Sequence, residues 1–104
     1  AAAFVIDDNI LAGLIAKSSN PKDFKIVGPV LSSEPYGIML PKGDVAFKAI
    51  ADRTVKTLWS NGQMAVLYKK WFQSPIAPKN VNLNMPMSSS YLKLKAKPTD
   101  AGIN

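Results

Sequence analysis

The apolar residues of this chain fall into two kinds of pattern. Short unbroken runs at Ala2–Ile6 (Ala-Ala-Phe-Val-Ile) and Tyr36–Leu40 predict strands buried on both faces, as in a parallel sheet. Lys25–Val30 predicts a third strand, broken by Gly28-Pro29 and so placed at an edge or a strand end. Elsewhere the spacing is helical. Ile10, Leu11, Leu14 and Ile15 share one face of a helix over Ile10–Ser18, for which Asp7, Asp8 and Asn9 offer caps and which Asn20-Pro21 stops. The longest predicted helix spans Val45 to about Ser60. Phe47, Ile50, Ala51, Val55, Leu58 and Trp59 face inward on it, and Lys48, Asp52, Arg53 and Lys56 face outward. Pro41–Gly43 forms the turn before it, Asp44 caps it, and Asn61-Gly62 ends it, because both residues tolerate a left-handed backbone. A further helix, Gln63–Phe72, carries Met64, Leu67, Tyr68 and Trp71 as a core stripe.

The C-terminal part is less regular. Ser74-Pro75-Ile76-Ala77-Pro78 imposes a helix-free connection, and Val81–Met87 alternates apolar residues with Asn without strong strand signals. Tyr91–Lys95 reads as a short helix, and Pro98–Asn104 as a mobile tail.

Composition narrows the chemistry. A chain of 104 residues with 47% hydrophobic and 19% charged positions is one globular unit at most. No apolar run approaches the roughly 20 residues of a membrane helix. Without Cys there are no disulfides, thiolate metal sites or Cys nucleophiles, and without His the commonest general base and metal ligand is absent. No cofactor is expected. Ala1–Ile6 has no basic n-region and is followed by Asp7-Asp8, so it is not read as a signal peptide.

The net charge of +6 favours anions. Yet the basic residues are scattered from Lys17 to Lys97, with Lys69-Lys70 the one adjacent pair and Lys93, Lys95, Lys97 the one alternating run. Arg occurs once, at Arg53, although Arg dominates base and phosphate readout. The lysines are therefore read as a solvated surface, and nucleic acid is not an expected partner.

Three blocks, Ala3-Phe4-Val5-Ile6-Asp7-Asp8-Asn9-Ile10-Leu11-Ala12-Gly13, Tyr36-Gly37-Ile38-Met39-Leu40-Pro41-Lys42-Gly43-Asp44, and Trp71-Phe72 followed by Pro75-Ile76, Pro78-Lys79-Asn80, come in an order that resembles the amino-acid-binding proteins of ABC importers, closest to the glutamate/aspartate branch. The resemblance covers nearly the whole chain. It implies the fold class α/β, as the C-terminal part of a two-lobed periplasmic-binding-protein fold, incomplete as a single chain. Residues 1–31 would end the second lobe, 32–40 would be the return hinge crossing, 41–80 the helices of the first lobe, and 81–104 a C-terminal extension. At Ala1-Ala2-Ala3 the chain departs from the family, where a Gly-Arg-x-Asp-like approach is usual.

The resemblance assigns Asp7 to the ligand's α-ammonium. The chemistry fits, since a carboxylate just beyond a buried strand can make a charge-assisted bond in a dehydrated cleft. Capping the next helix is the competing role for Asp7, and Asp8 or Asn9 takes it if Asp7 meets ligand. Tyr36 and Gly37 serve either the hinge or a plain buried strand. Arg53, outward on its helix, is not expected to read a ligand carboxylate. The implied function is capture of glutamate or aspartate in the periplasm for a membrane permease, without catalysis. The implied partners include the missing N-terminal lobes or a second copy of the chain, which would cover the exposed strand edges by association or swapping. The alternatives are a small basic interaction module and a non-transport enzyme on the same fold, the latter short of acid/base groups with only Glu34 and six aspartates.

Overall fold

The computed structural model describes residues 2–102, and the parts of the expected N-terminal segment at Ala1 and of the expected tail at Ile103 and Asn104 lie outside the described residues. The regular elements are helical. α1 covers Asp8–Lys17, followed by a single 3-10 turn at Pro21–Asp23; α2 covers Val45–Ser60, α3 Gln63–Phe72 and α4 Ser89–Ala96.

The α2–α3 region forms as local chemistry dictates. Asp44 N–H donates to the Pro41 carbonyl at 3.3 Å, closing a turn whose Gly43 has φ +83°. The Asp44 carboxylate then accepts from Phe47 N–H at 2.9 Å, satisfying one of the orphan donors of α2. At the other end Asn61 takes the C-cap and Gly62, at φ +80°, reverses the chain. The Asn61 side chain also accepts from Gln63 N–H at 3.0 Å, so one residue finishes α2 and helps start α3.

The expected α/β architecture is not formed among the described residues. Ala2–Ile6, Lys25–Val30 and Tyr36–Leu40 make no ladder, and the β-pairing among the described residues is one isolated antiparallel bridge elsewhere, between Ile76 and Val81. The physical reason is that a strand exists by exchanging backbone hydrogen bonds with a neighbour, and these segments have no neighbouring strand. Their side chains, expected to be buried, are exposed: Phe4 by 63%, Ile38 by 74% and Met39 by 96%. No described residue is fully buried.

The chain divides into two units, Ala1–Pro29 with Leu67–Pro86, and Val30–Val66 with Met87–Asn104. In the first, the segment after α3 folds back on that helix's end. Tyr68 stacks on Phe72 with ring centroids 4.6 Å apart, and its hydroxyl donates to the Pro86 carbonyl at 3.0 Å. Met85 N–H donates to the Phe72 carbonyl at 3.0 Å, and the Asn82 and Gln73 side-chain amides donate to the carbonyls of Gln73 and Met85, both at 3.3 Å. The alternating Asn residues that gave no strand signal thus serve turns: Asn80 and Asn84 have φ +53° and +50°, which Asn accepts more readily than other side chains.

In the second unit α2 half-covers Ala51, Val55, Leu58 and Trp59, while Phe47 and Ile50, expected inward, remain exposed. On α3 the covered line runs through Met64, Tyr68 and Phe72, at i, i+4, i+8; Leu67 and Trp71 of the expected stripe are exposed instead.

Candidate functional site

Asp7 holds the N-cap position of α1, with its carbonyl accepting from Ile10 N–H at 3.1 Å and Leu11 N–H at 3.0 Å. Its carboxylate makes no capping hydrogen bond and lies on an exposed residue. The neighbouring side chains are occupied locally: the Asp8 carboxylate accepts from Asn9 N–H at 2.8 Å, and the Asn9 side chain from Ile10 N–H at 2.9 Å. Neither of these bonds reaches the second or third residue onward, as a capping bond does. Burial and then the Asp8 charge hold the Tyr68 phenol above its usual range.

Tyr36 and Gly37 lie in the second unit, in the segment between Pro35 and the Pro41 turn, with Tyr36 exposed by 78%. Asp7 lies in the first. Arg53 is exposed on α2, as its helical position predicted. Within the described residues no three or more His, Cys, Asp or Glu side chains are grouped to hold a metal ion, and no helix is long and apolar enough to cross a membrane.

Sequence reasoning missed the polar and aromatic ties of the second unit. Lys48 donates to the carboxylates of Asp52 and Asp100, each at 2.6 Å. The hydrogen bonds it donates to Asp100, then to Asp52, raise the Lys48 ammonium above its ordinary range, and the bond Asp100 accepts from Lys48 lowers Asp100 below the usual carboxylate range. Tyr91 sets its ring 5.1 Å from that of Trp59 and donates its hydroxyl to the Met64 carbonyl at 3.3 Å. The signal for α4 was present in Ser88, whose hydroxyl accepts from Tyr91 N–H at 3.1 Å. No comparable local signal marks Asp100.

No family model matches the chain. Individual relatives do. The L-glutamate/L-aspartate-binding protein of Pseudomonas aeruginosa is 45% identical over 100 residues, which is 96% of this chain and 33% of that protein. This chain is homologous to part of a glutamate/aspartate solute-binding protein. The glutamate/aspartate import solute-binding protein of Escherichia coli K12 is 40% identical across the whole chain and 34% of its own length. A more distant relative, the ABC transporter glutamine-binding protein of Bacillus subtilis, is 31% identical over 68% of the chain and 25% of its own length. The chain thus spans about a third of the length of the first two relatives.

Proposed function

We propose that this chain is the C-terminal third of the substrate-binding component of an ABC importer for acidic amino acids, glutamate or aspartate. It works in the periplasm, delivers ligand to a membrane permease and catalyses no reaction. The observation that carries this is identity of 40–45% over 96–100% of the chain to proteins that bind or import these two amino acids. Identity spread over the whole chain supports a shared fold more strongly than a match confined to one motif.

The exposed apolar segments support the same reading. Ala2–Ile6 and Tyr36–Leu40 have the composition of two-face-buried strands yet are largely exposed, as expected of pieces that pair with sheets in the remaining two thirds of such a protein. On this reading the α/β class belongs to the complete two-lobed protein. Residues 1–31 close the second lobe, 32–40 cross back as the hinge with Tyr36 and Gly37, 41–80 carry the helices of the first lobe, and 81–104 extend it. Asp7, at the α1 N-terminus, pairs with the ligand's α-ammonium. The cations for the ligand's carboxylates come from elsewhere in the complete protein, since Arg53 sits on an exposed helix face.

A chimera tests this. The chain replaces the matching third of the Pseudomonas aeruginosa protein, and L-glutamate and L-aspartate are titrated into it calorimetrically. Saturable binding of either is expected, with weak or no binding by the 104-residue chain alone. A cooperatively melting chimera that binds neither would overturn the reading, and micromolar affinity of the chain by itself would overturn the incomplete site.

A further inference from the structure

Pro98–Asn104 reads as a mobile tail, yet Asp100 within it is tied to Lys48, and α4 just before it is tied to α2 through Tyr91, all within the second unit. Tyr91 meets Trp59 at the C-terminal end of α2 and the Met64 carbonyl just beyond it, while Asp100 meets Lys48 at the helix's N-terminal end. Trp59 and Lys48 stand eleven residues apart, about 16 Å along a helix rising 1.5 Å per residue. The segment 87–102 thus meets α2 near both ends, in antiparallel order, through Tyr91 at Trp59 and through Asp100 at Lys48. Past the ion pair, Gly102 closes one side of a shallow hollow of about 620 Å³ whose other walls are Ser32, Ser33, Glu34 and Pro35.

We propose that residues 87–102 form a strap that joins α2 to the segment 32–35, fixed by an aromatic anchor at Tyr91 and a polar latch at Asp100. The two fastenings differ in kind. The aromatic end rests on ring contact and a part-buried hydrogen bond, which salt does not screen. The polar end is exposed on both partners, so it opens and closes readily and yields to salt. Resting on the reading of 32–40 as the hinge crossing, the strap restrains the element that must flex when the lobes close, and so pre-organises the protein for ligand.

The absence of cysteine makes the test clean, since Gly102→Cys introduces a single labelling site. A nitroxide there, in the 104-residue chain, should broaden the amide resonances of Ser32, Ser33, Glu34 and Lys48. Adding Asp100→Lys should cut that broadening by roughly half, because an exposed ion pair holds its partners only part of the time, and should leave the Trp59–Tyr91 contacts unchanged. No broadening at 32–34, or broadening indifferent to Asp100→Lys, would overturn the strap. In the chimera described above, truncation after Lys97 should weaken glutamate affinity about threefold, the scale of one modest ordering cost; unchanged affinity would overturn the coupling to the hinge. A full-strap chimera that binds no glutamate would overturn the transport reading alone, while the broadening experiment still decides the strap.

Discussion

Truncating Tyr91 to alanine probes the anchor on which the C-terminal segment depends. Two interactions disappear together: the tilted ring pair with Trp59, centroids 5.1 Å apart at 50°, and the 3.3 Å hydrogen bond to the Met64 carbonyl. An aromatic pair contributes about 0.5–1.5 kcal/mol beyond area burial, and a neutral hydrogen bond about 0.5–1.5 kcal/mol. The hydroxyl bond is long and only part-buried, which places it near the lower end of its range. Losing the covered part of the ring adds roughly 1 kcal/mol of apolar burial. Tyr91→Ala should therefore cost about 2–3 kcal/mol, and Tyr91→Phe, which keeps the ring pair, about 0.5 kcal/mol. Urea unfolding of the chimera measures both as shifts in midpoint at constant slope. Trp59 fluorescence reports the ring contact directly, with a change expected for alanine but not for phenylalanine. Equal losses for the two variants would refute the division between ring and hydroxyl, and a loss below about 0.5 kcal/mol for alanine would refute the anchor itself.

Three further outcomes are expected. Asp7→Ala in the chimera should weaken glutamate binding by about 3 kcal/mol, the scale for leaving a charged partner without its counterpart, and unchanged affinity by calorimetry would remove Asp7 from the site. Gly62→Ala should destabilise by about 1–2 kcal/mol in urea unfolding, since φ +80° penalises any Cβ although no neighbour lies within 4 Å to clash with it. The polar latch should hold across neutral pH and release at both extremes. Asp100, lowered by Lys48, contributes stability above its ordinary carboxylate pKa of about 3.9 and loses it as pH falls through the lower folded value. Lys48, raised by Asp100 and Asp52, contributes below its ordinary value of about 10.4 and loses it as pH rises through the higher folded value. The nitroxide broadening at Lys48 should follow that window, and loss of it near neutral pH would contradict the assignment.

What could be read from the sequence is what the chain decides within a few residues. α2 and α3 were legible to their ends, because the cap at Asp44, the break at Asn61-Gly62 and the 3.6-residue period all act over one or two turns. The blocks around Asp7, Tyr36 and Trp71 carried the family resemblance, and whole-chain homology supports it. Tertiary structure decided the rest. Nothing near Asp100 in sequence announces Lys48, 52 residues away, and nothing near Tyr91 announces Trp59. The converse failure has the same cause: Phe4, Ile38 and Met39 have the apolar pattern of buried strands, but burial and pairing are supplied by neighbours, and the described residues supply none.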